Sequence, residues 1–79
     1  MDSELLQGLS QGRQEAFDRL IREYYPRLMG YARLLLDEEN ARDIVQEIFL
    51  YVWEHRSRLH FTAGFQSYLF RICHSRMLD

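Results

Sequence analysis

The stretch Ala41-Arg42-Asp43-Ile44-Val45-Gln46-Glu47-Ile48-Phe49-Leu50-Tyr51-Val52-Trp53-Glu54 decides the fold. Its residues read as a helix, in which each position turns about 100° from the last and residues three and four apart share a face. With Asp43 at the origin of the wheel, Ile44, Val45, Ile48, Phe49, Tyr51 and Val52 spread over the far side. Asp43, Gln46, Glu47, Leu50 and Glu54 fall together in one narrow strip. A helix apolar over so much of its girth belongs at the centre of its domain, and the strip is then its only outlet to water or to a partner. A solvated face with one stray leucine satisfies that geometry. So does an acidic docking stripe with a hydrophobic anchor, suited to a basic helix or coiled coil.

Working outward from this helix, Asp37 is placed to cap it, and Glu38 and Glu39 sit in its first turn, where the helix dipole favours acids. Its end is expected near His55 or Arg56. Upstream, Phe17, Leu20, Ile21, Tyr24, Leu28, Tyr31, Ala32 and Leu35 keep helical phase from about Arg13 to Leu36. Pro26 lies within that run. It has no N–H for the carbonyl of Arg22 and its ring crowds the preceding turn, so a kink is expected near Tyr24 and Tyr25, with the helix resuming beyond it. The helical spacing of Tyr24, Tyr25 and Tyr31 assigns them to packing rather than to a stacking platform. A short first helix over Glu4–Gln7 is predicted, capped by Ser3 and ended by Gly8, with Ser10-Gln11-Gly12 as the following turn. Downstream, residues 57–64 read as a loop. Thr62 is placed to cap a last helix from about Ala63 to Leu78, with Phe65, Leu69, Ile72 and Cys73 inward, and Ser67, Arg71, His74 and Ser75 outward. Asp79 stops the chain in what should still be helix, which points to a piece of a longer protein.

Seventy-nine residues make one small domain with a modest core. The net charge of −2 hides an asymmetry. Residues 1–54 carry six arginines against eleven acids; residues 55–79 carry four arginines against Asp79 alone, with His55, His60 and His74 added. An acidic body and a basic C-terminal third imply two different partners. The single cysteine excludes an internal disulfide and fits a reducing cytoplasm. There is no signal-peptide pattern and no apolar run of membrane-spanning length.

No catalytic constellation emerges. The spacings of His55, His60, Cys73 and His74 match no common zinc pattern. Cys73 lies on an apolar face away from His74, and there is no glycine-rich phosphate loop. Nucleic-acid features are stronger. Arg56, Arg58, His60, Arg71 and His74 lie in or beside the loop and on the outer face of the last helix, as phosphate ligands do. Phe61, Phe65, Tyr68 and Phe70 are interleaved with them, and aromatics beside a basic track can stack on unpaired bases.

The segment Asp43-Ile44-Val45-Gln46-Glu47-Ile48-Phe49-Leu50-Tyr51-Val52-Trp53 closely resembles the second conserved region of bacterial RNA polymerase sigma factors, in the form of the extracytoplasmic-function subfamily. Gly12-Arg13-Gln14-Glu15-Ala16-Phe17, Tyr24-Tyr25-Pro26-Arg27-Leu28 and Phe65-Gln66-Ser67-Tyr68-Leu69-Phe70-Arg71-Ile72 follow in the family's order and near its spacing. The resemblance implies that Asp43, Gln46 and Glu47 dock on the coiled-coil clamp helices of the polymerase β′ subunit; Leu50 and Glu54 join them by sharing the face. It implies that the loop and last helix capture a base flipped from the non-template strand of the promoter minus-ten element. Thr62, Gln66, Ser67, Tyr68 and Ser75 thereby join Arg56, Arg58, His60, Phe61, Arg71 and His74 as DNA-binding candidates. Base flipping costs a few kcal/mol of unstacking, which the pocket must repay. Many relatives have an aromatic, often Trp, at Tyr68 and Asn where Ser75 stands; Ser makes a shorter reach to a base or phosphate, so the resemblance carries the fold over to this chain but not a promoter preference. An anti-sigma factor is implied as a further partner. The family's helix-turn-helix domain is absent from the sequence.

The expectation is therefore an all-α bundle of one short and three longer helices, cytoplasmic, without catalysis or cofactor. It would dock on core polymerase and recognise and melt the minus-ten element. The rival is a helical adaptor that binds a basic helix and never touches DNA; the basic C-terminal third speaks against it.

Overall fold

The computed structural model describes residues 3–56 and 64–78, which form four helices: α1 (Ser3–Ser10), α2 (Gln14–Ala32), α3 (Glu38–Glu54) and α4 (Phe65–Leu78). No strand occurs among the described residues. The expected caps Ser3, as a side chain, and Thr62, and the loop candidates Arg58, His60 and Phe61, lie outside what is described.

Asp37 begins α3 as its sequence predicts. Its backbone is extended, and its carboxylate accepts from the backbone N–H of Asn40 at 2.9 Å, satisfying one of the four donors that every helix start leaves open. The helix then buries Ala41, Val45, Ile48, Phe49 and Val52, a stripe at the 3–4 spacing. At its other end the Nδ1–H of His55 donates to the carbonyl of Tyr51 at 2.9 Å, with the imidazole stacked on the Tyr51 ring at 4.1 Å. Arg56, just beyond it, donates from Nη1 to the Trp53 carbonyl at 2.6 Å and lies over the indole.

The central element is α2 rather than α3: it packs against each of the other three helices, while α3 packs on α2 and α4. Leu20, Tyr24, Leu28, Met29 and Ala32 supply its buried stripe, which keeps phase through Pro26 without a break in the helix. Tyr24 meets Phe65 of α4 edge-on at 6.3 Å between centroids, an arrangement that suits two ring quadrupoles. Trp53 of α3 packs on Phe17 of α2 at 4.8 Å. From α4, Phe65, Leu69 and Cys73 complete the core.

Two boundaries differ from the sequence reading. α1 continues through Gly8 to Ser10. A Cβ at Gly8 would stand 2.8 Å from Cβ of Ala16, so the glycine is there to bring α1 against α2, not to end a helix. α2 stops at Ala32 instead of Leu36. Short bonds from the N–H of Leu34 to Tyr31 O and of Leu35 to Ala32 O, both 3.1 Å, tighten the chain there. That turn rotates Leu35 off the apolar face, leaving it 60% exposed, while Leu36 packs against the core. Arg33 and Glu38 then clasp the turn through two hydrogen bonds of 2.8 and 2.9 Å. No helix among the described residues is long and apolar enough to cross a membrane.

Candidate functional site

Burying the 3–4 stripe of α3 against α2 and α4 fixes which of its faces looks outward. Asp43, Gln46, Glu47, Leu50 and Glu54 are all exposed along one side, and Leu50, at 57%, stands among the acids as a side chain with no helix of its own fold to cover it. The strip is therefore a real surface feature: a line of carboxylates around one apolar anchor.

α4 is fixed in the same way. With Phe65, Leu69 and Cys73 inward, Gln66, Ser67, Arg71, His74 and Ser75 are exposed and Tyr68 is half-buried. Two of these side chains are held by α2. His74 Nδ1 and the Tyr31 hydroxyl are 2.8 Å apart, and Arg27, beside the Tyr24 ring, donates to Oε1 of Gln66 at 3.4 Å. Arg71, Ser67 and Ser75 carry no such tether to the fold among the described residues. Arg56 sits differently: its carbonyl bond and its position over Trp53 commit the guanidinium to the end of α3. It also lies against the α1–α2 turn, where Gly12 has φ +74° and an added Cβ would meet Arg56 Nε at 3.3 Å.

Along the α3–α4 seam lies an open groove of about 490 Å³, lined by Tyr51, Tyr68, Arg71, Ile72, Ser75 and Arg76. Burial, and then a hydrogen bond with Tyr51, push the Tyr68 phenol above its ordinary range. Sequence reasoning named Tyr68, Arg71 and Ser75 but missed Tyr51 and Arg76. Both flank an apolar stripe, Tyr51 four residues after Glu47 and Arg76 four after Ile72. Only the packing of α3 on α4 sets them side by side, with the Arg76 guanidinium carbon 5.4 Å from the Tyr51 ring centre and Nη1 3.4 Å from Oε2 of Glu47.

The surface offers binding groups rather than reactive ones. Cys73 is buried, which pushes its thiol pKa up and away from the nucleophilic thiolate. No group of three or more metal-ligating side chains gathers among the described residues.

This pairing of an acidic α3 face with a polar, arginine-bearing α4 face can be compared with known proteins. The family profile described as Sigma-70 region 2 matches residues 20–79. The chain belongs to the sigma-70 region 2 family. The match takes in α3, α4 and most of α2, so both candidate surfaces lie inside the family domain. The chain is also similar to the RNA polymerase sigma-H factor of Pseudomonas aeruginosa, at 28% identity over 72 residues. That alignment covers 90% of this chain and 37% of the relative, so the chain spans little more than a third of that relative's length. No solved structure matches it.

Proposed function

We propose that this sigma-70 region 2 domain acts in transcription initiation. In this reading the strip Asp43, Gln46, Glu47, Leu50 and Glu54 docks on the β′ clamp helices of core RNA polymerase. The outer face of α4, with the loop before it, takes the unpaired non-template strand of the minus-ten element. The observation that carries the reading is the exposed line of carboxylates around Leu50 on α3. A charged rim around one apolar anchor is the form of a docking site for a basic helical partner. It is supported by the family match and by the sigma factor relative.

On the DNA side, Arg71 supplies a phosphate contact, while Gln66, Ser67, Tyr68, His74 and Ser75 face the strand with Arg58, His60, Phe61 and Thr62 of the loop. Arg56 positions the root of the loop, since its guanidinium is already engaged by Trp53. The domain holds and orients; it catalyses nothing, takes no cofactor and works in the cytoplasm, where an anti-sigma factor would compete for the same faces.

The test is co-purification with core polymerase. Glu47→Arg reverses a rim charge that costs the fold little, so it should lower recovery of polymerase at unchanged helicity and melting temperature. Wild-type recovery by that variant would leave the strip as a merely solvated face and the adaptor reading without its surface too.

A further inference from the structure

Arg27 and Gln66 are far apart in the chain and meet because α4 packs on α2. Arg27 lies on the exposed side of α2, three residues after Tyr24. Its guanidinium carbon is 5.3 Å from the centre of the Tyr24 ring, which is buried and braced edge-on by Phe65. A ring face attracts a cation, and this ring is fixed in the core, so the guanidinium has a fixed seat. Gln66 follows Phe65 directly in the first turn of α4, and Nη1 of Arg27 reaches its Oε1 at 3.4 Å. A guanidinium has five N–H donors and no acceptor, whereas an amide has an accepting end and a donating end. Beside Arg27, the amide of Gln66 therefore turns its oxygen inward to the guanidinium. Its NH2 is left for whatever lies outside.

We propose that Arg27 is a positioning residue that fixes the polarity of Gln66 and makes it a donor-only reader of bases. The proposal deepens the promoter reading and rests on it for the strand. An untethered glutamine pairs with adenine through both ends of its amide, the oxygen accepting from N6 and the NH2 donating to N7. With Oε1 engaged by Arg27, that pairing is lost. The two amide hydrogens remain, and they suit an edge made of acceptors, such as N7 and O6 of guanine or O4 of thymine. Gln66 held in this way selects against adenine at the one position it faces. The tether is long and lies between exposed side chains, so the bias is modest, about two- to tenfold, the range of one net hydrogen bond.

Two measurements test it, and the first needs no DNA. In NMR relaxation of side-chain amides, the NH2 of Gln66 should be more ordered than that of Gln46, which is exposed on α3. Arg27→Met should loosen Gln66 to the level of Gln46. The second is fluorescence titration at low salt with minus-ten-like single strands in which each position is set in turn to each base. The wild type should disfavour adenine at one position by that two- to tenfold. Arg27→Met should erase the bias there, and Arg27→Lys, whose ammonium also only donates, should keep part of it. In a Gln66→Met background, Arg27→Met should leave the preference at that position unchanged. A wild-type Gln66 amide as mobile as that of Gln46, or a bias against adenine that survives Arg27→Met, would overturn the positioning role. So would an Arg27→Met effect confined to an equal loss for every strand with a shallower salt dependence, which is the mark of a phosphate ligand. A wild type that binds no strand would overturn the promoter reading and the reader role with it; an ordered Gln66 amide in that protein separates this failure from failure of the tether.

Discussion

Arg33 and Glu38 show what a single residue pair adds at a turn. Their two hydrogen bonds close the α2–α3 connection, and the Arg33 guanidinium holds the Glu38 carboxyl below its ordinary value. A carboxyl depressed by folding contributes stability that is present above its unfolded value and fades as pH falls through its folded one. Carbon-detected NMR of the side-chain carboxyl should therefore place Glu38 low in the wild type, and Arg33→Met should raise it toward the model-peptide value. Both side chains are half-exposed, so the melting temperature should scarcely move. Asp37 has more to lose. Its cap bond to Asn40 is an intrahelical substitute that alanine cannot make, and Asp37→Ala should cost about 1 kcal/mol in urea denaturation. Asp37 was legible in the sequence because capping is local chemistry, a short acceptor just before an apolar run. The clasp between Arg33 and Glu38 was not, because it depends on where α2 stops, and that is decided by the tight bonds of residues 33–36.

At the scale of the elements, periodicity does most of the work. The faces of α3 and α4 follow largely from 3–4 spacing: Val45, Ile48, Phe49, Val52, Phe65, Leu69 and Cys73, read as inward, are core, whereas Ile44, Tyr51 and Ile72, also read as inward, are half-buried at the edges, and the acidic strip is exposed. Phe49 tests the assignment. It is 5% exposed on α3, and Phe49→Ala should remove roughly 3–5 kcal/mol in a denaturation series, most of what a small domain has. Periodicity fails where one helix meets another. Gly8 reads as a helix terminator from its own propensity, yet it lies inside α1, where Ala16 of α2 leaves no room for a Cβ. Alanine at this position gains about 1 kcal/mol of helix propensity but overpacks a junction that gives way only by moving two backbones, at about 1–3 kcal/mol. Gly8→Ala should therefore be destabilising. Adding Ala16→Gly should recover part of the loss, so that the two changes are non-additive in a double-mutant cycle. The same blindness to neighbours explains Tyr51 and Arg76, whose meeting at the seam is a product of helix packing.

For the whole molecule the decisive property is charge separation. The net charge of −2 gives no long-range attraction to duplex DNA; what binds a strand must be the local basic track at the C-terminal third. The sequence names Arg56, Arg58, Arg71 and His74 as that track. The fold divides them, for Arg56 is engaged by the Trp53 carbonyl and ring, and His74 Nδ1 by Tyr31, whereas Arg71 is exposed on α4. Each phosphate neutralised on a single strand adds about 0.7 to the slope of log affinity against log salt. A track reduced to two or three working cations should give a slope of about 1.4–2.1 and binding that is lost at moderate salt. Arg71→Ala should lower the slope by about 0.7 for every sequence alike, because a phosphate contact carries no base information. Changes at Phe61 or Gln66 should leave the slope and blunt the preference for a minus-ten-like strand over its scramble. Arg56→Ala separates the two roles that sequence alone could not: a phosphate ligand would lower the slope as Arg71 does, whereas a residue that secures the end of α3 would lower the melting temperature and leave the slope intact. The structure predicts the second outcome. A titration series across salt, with thermal melts of the same variants, decides it; equal binding of strand, scramble and duplex would remove base capture altogether and leave a helical adaptor.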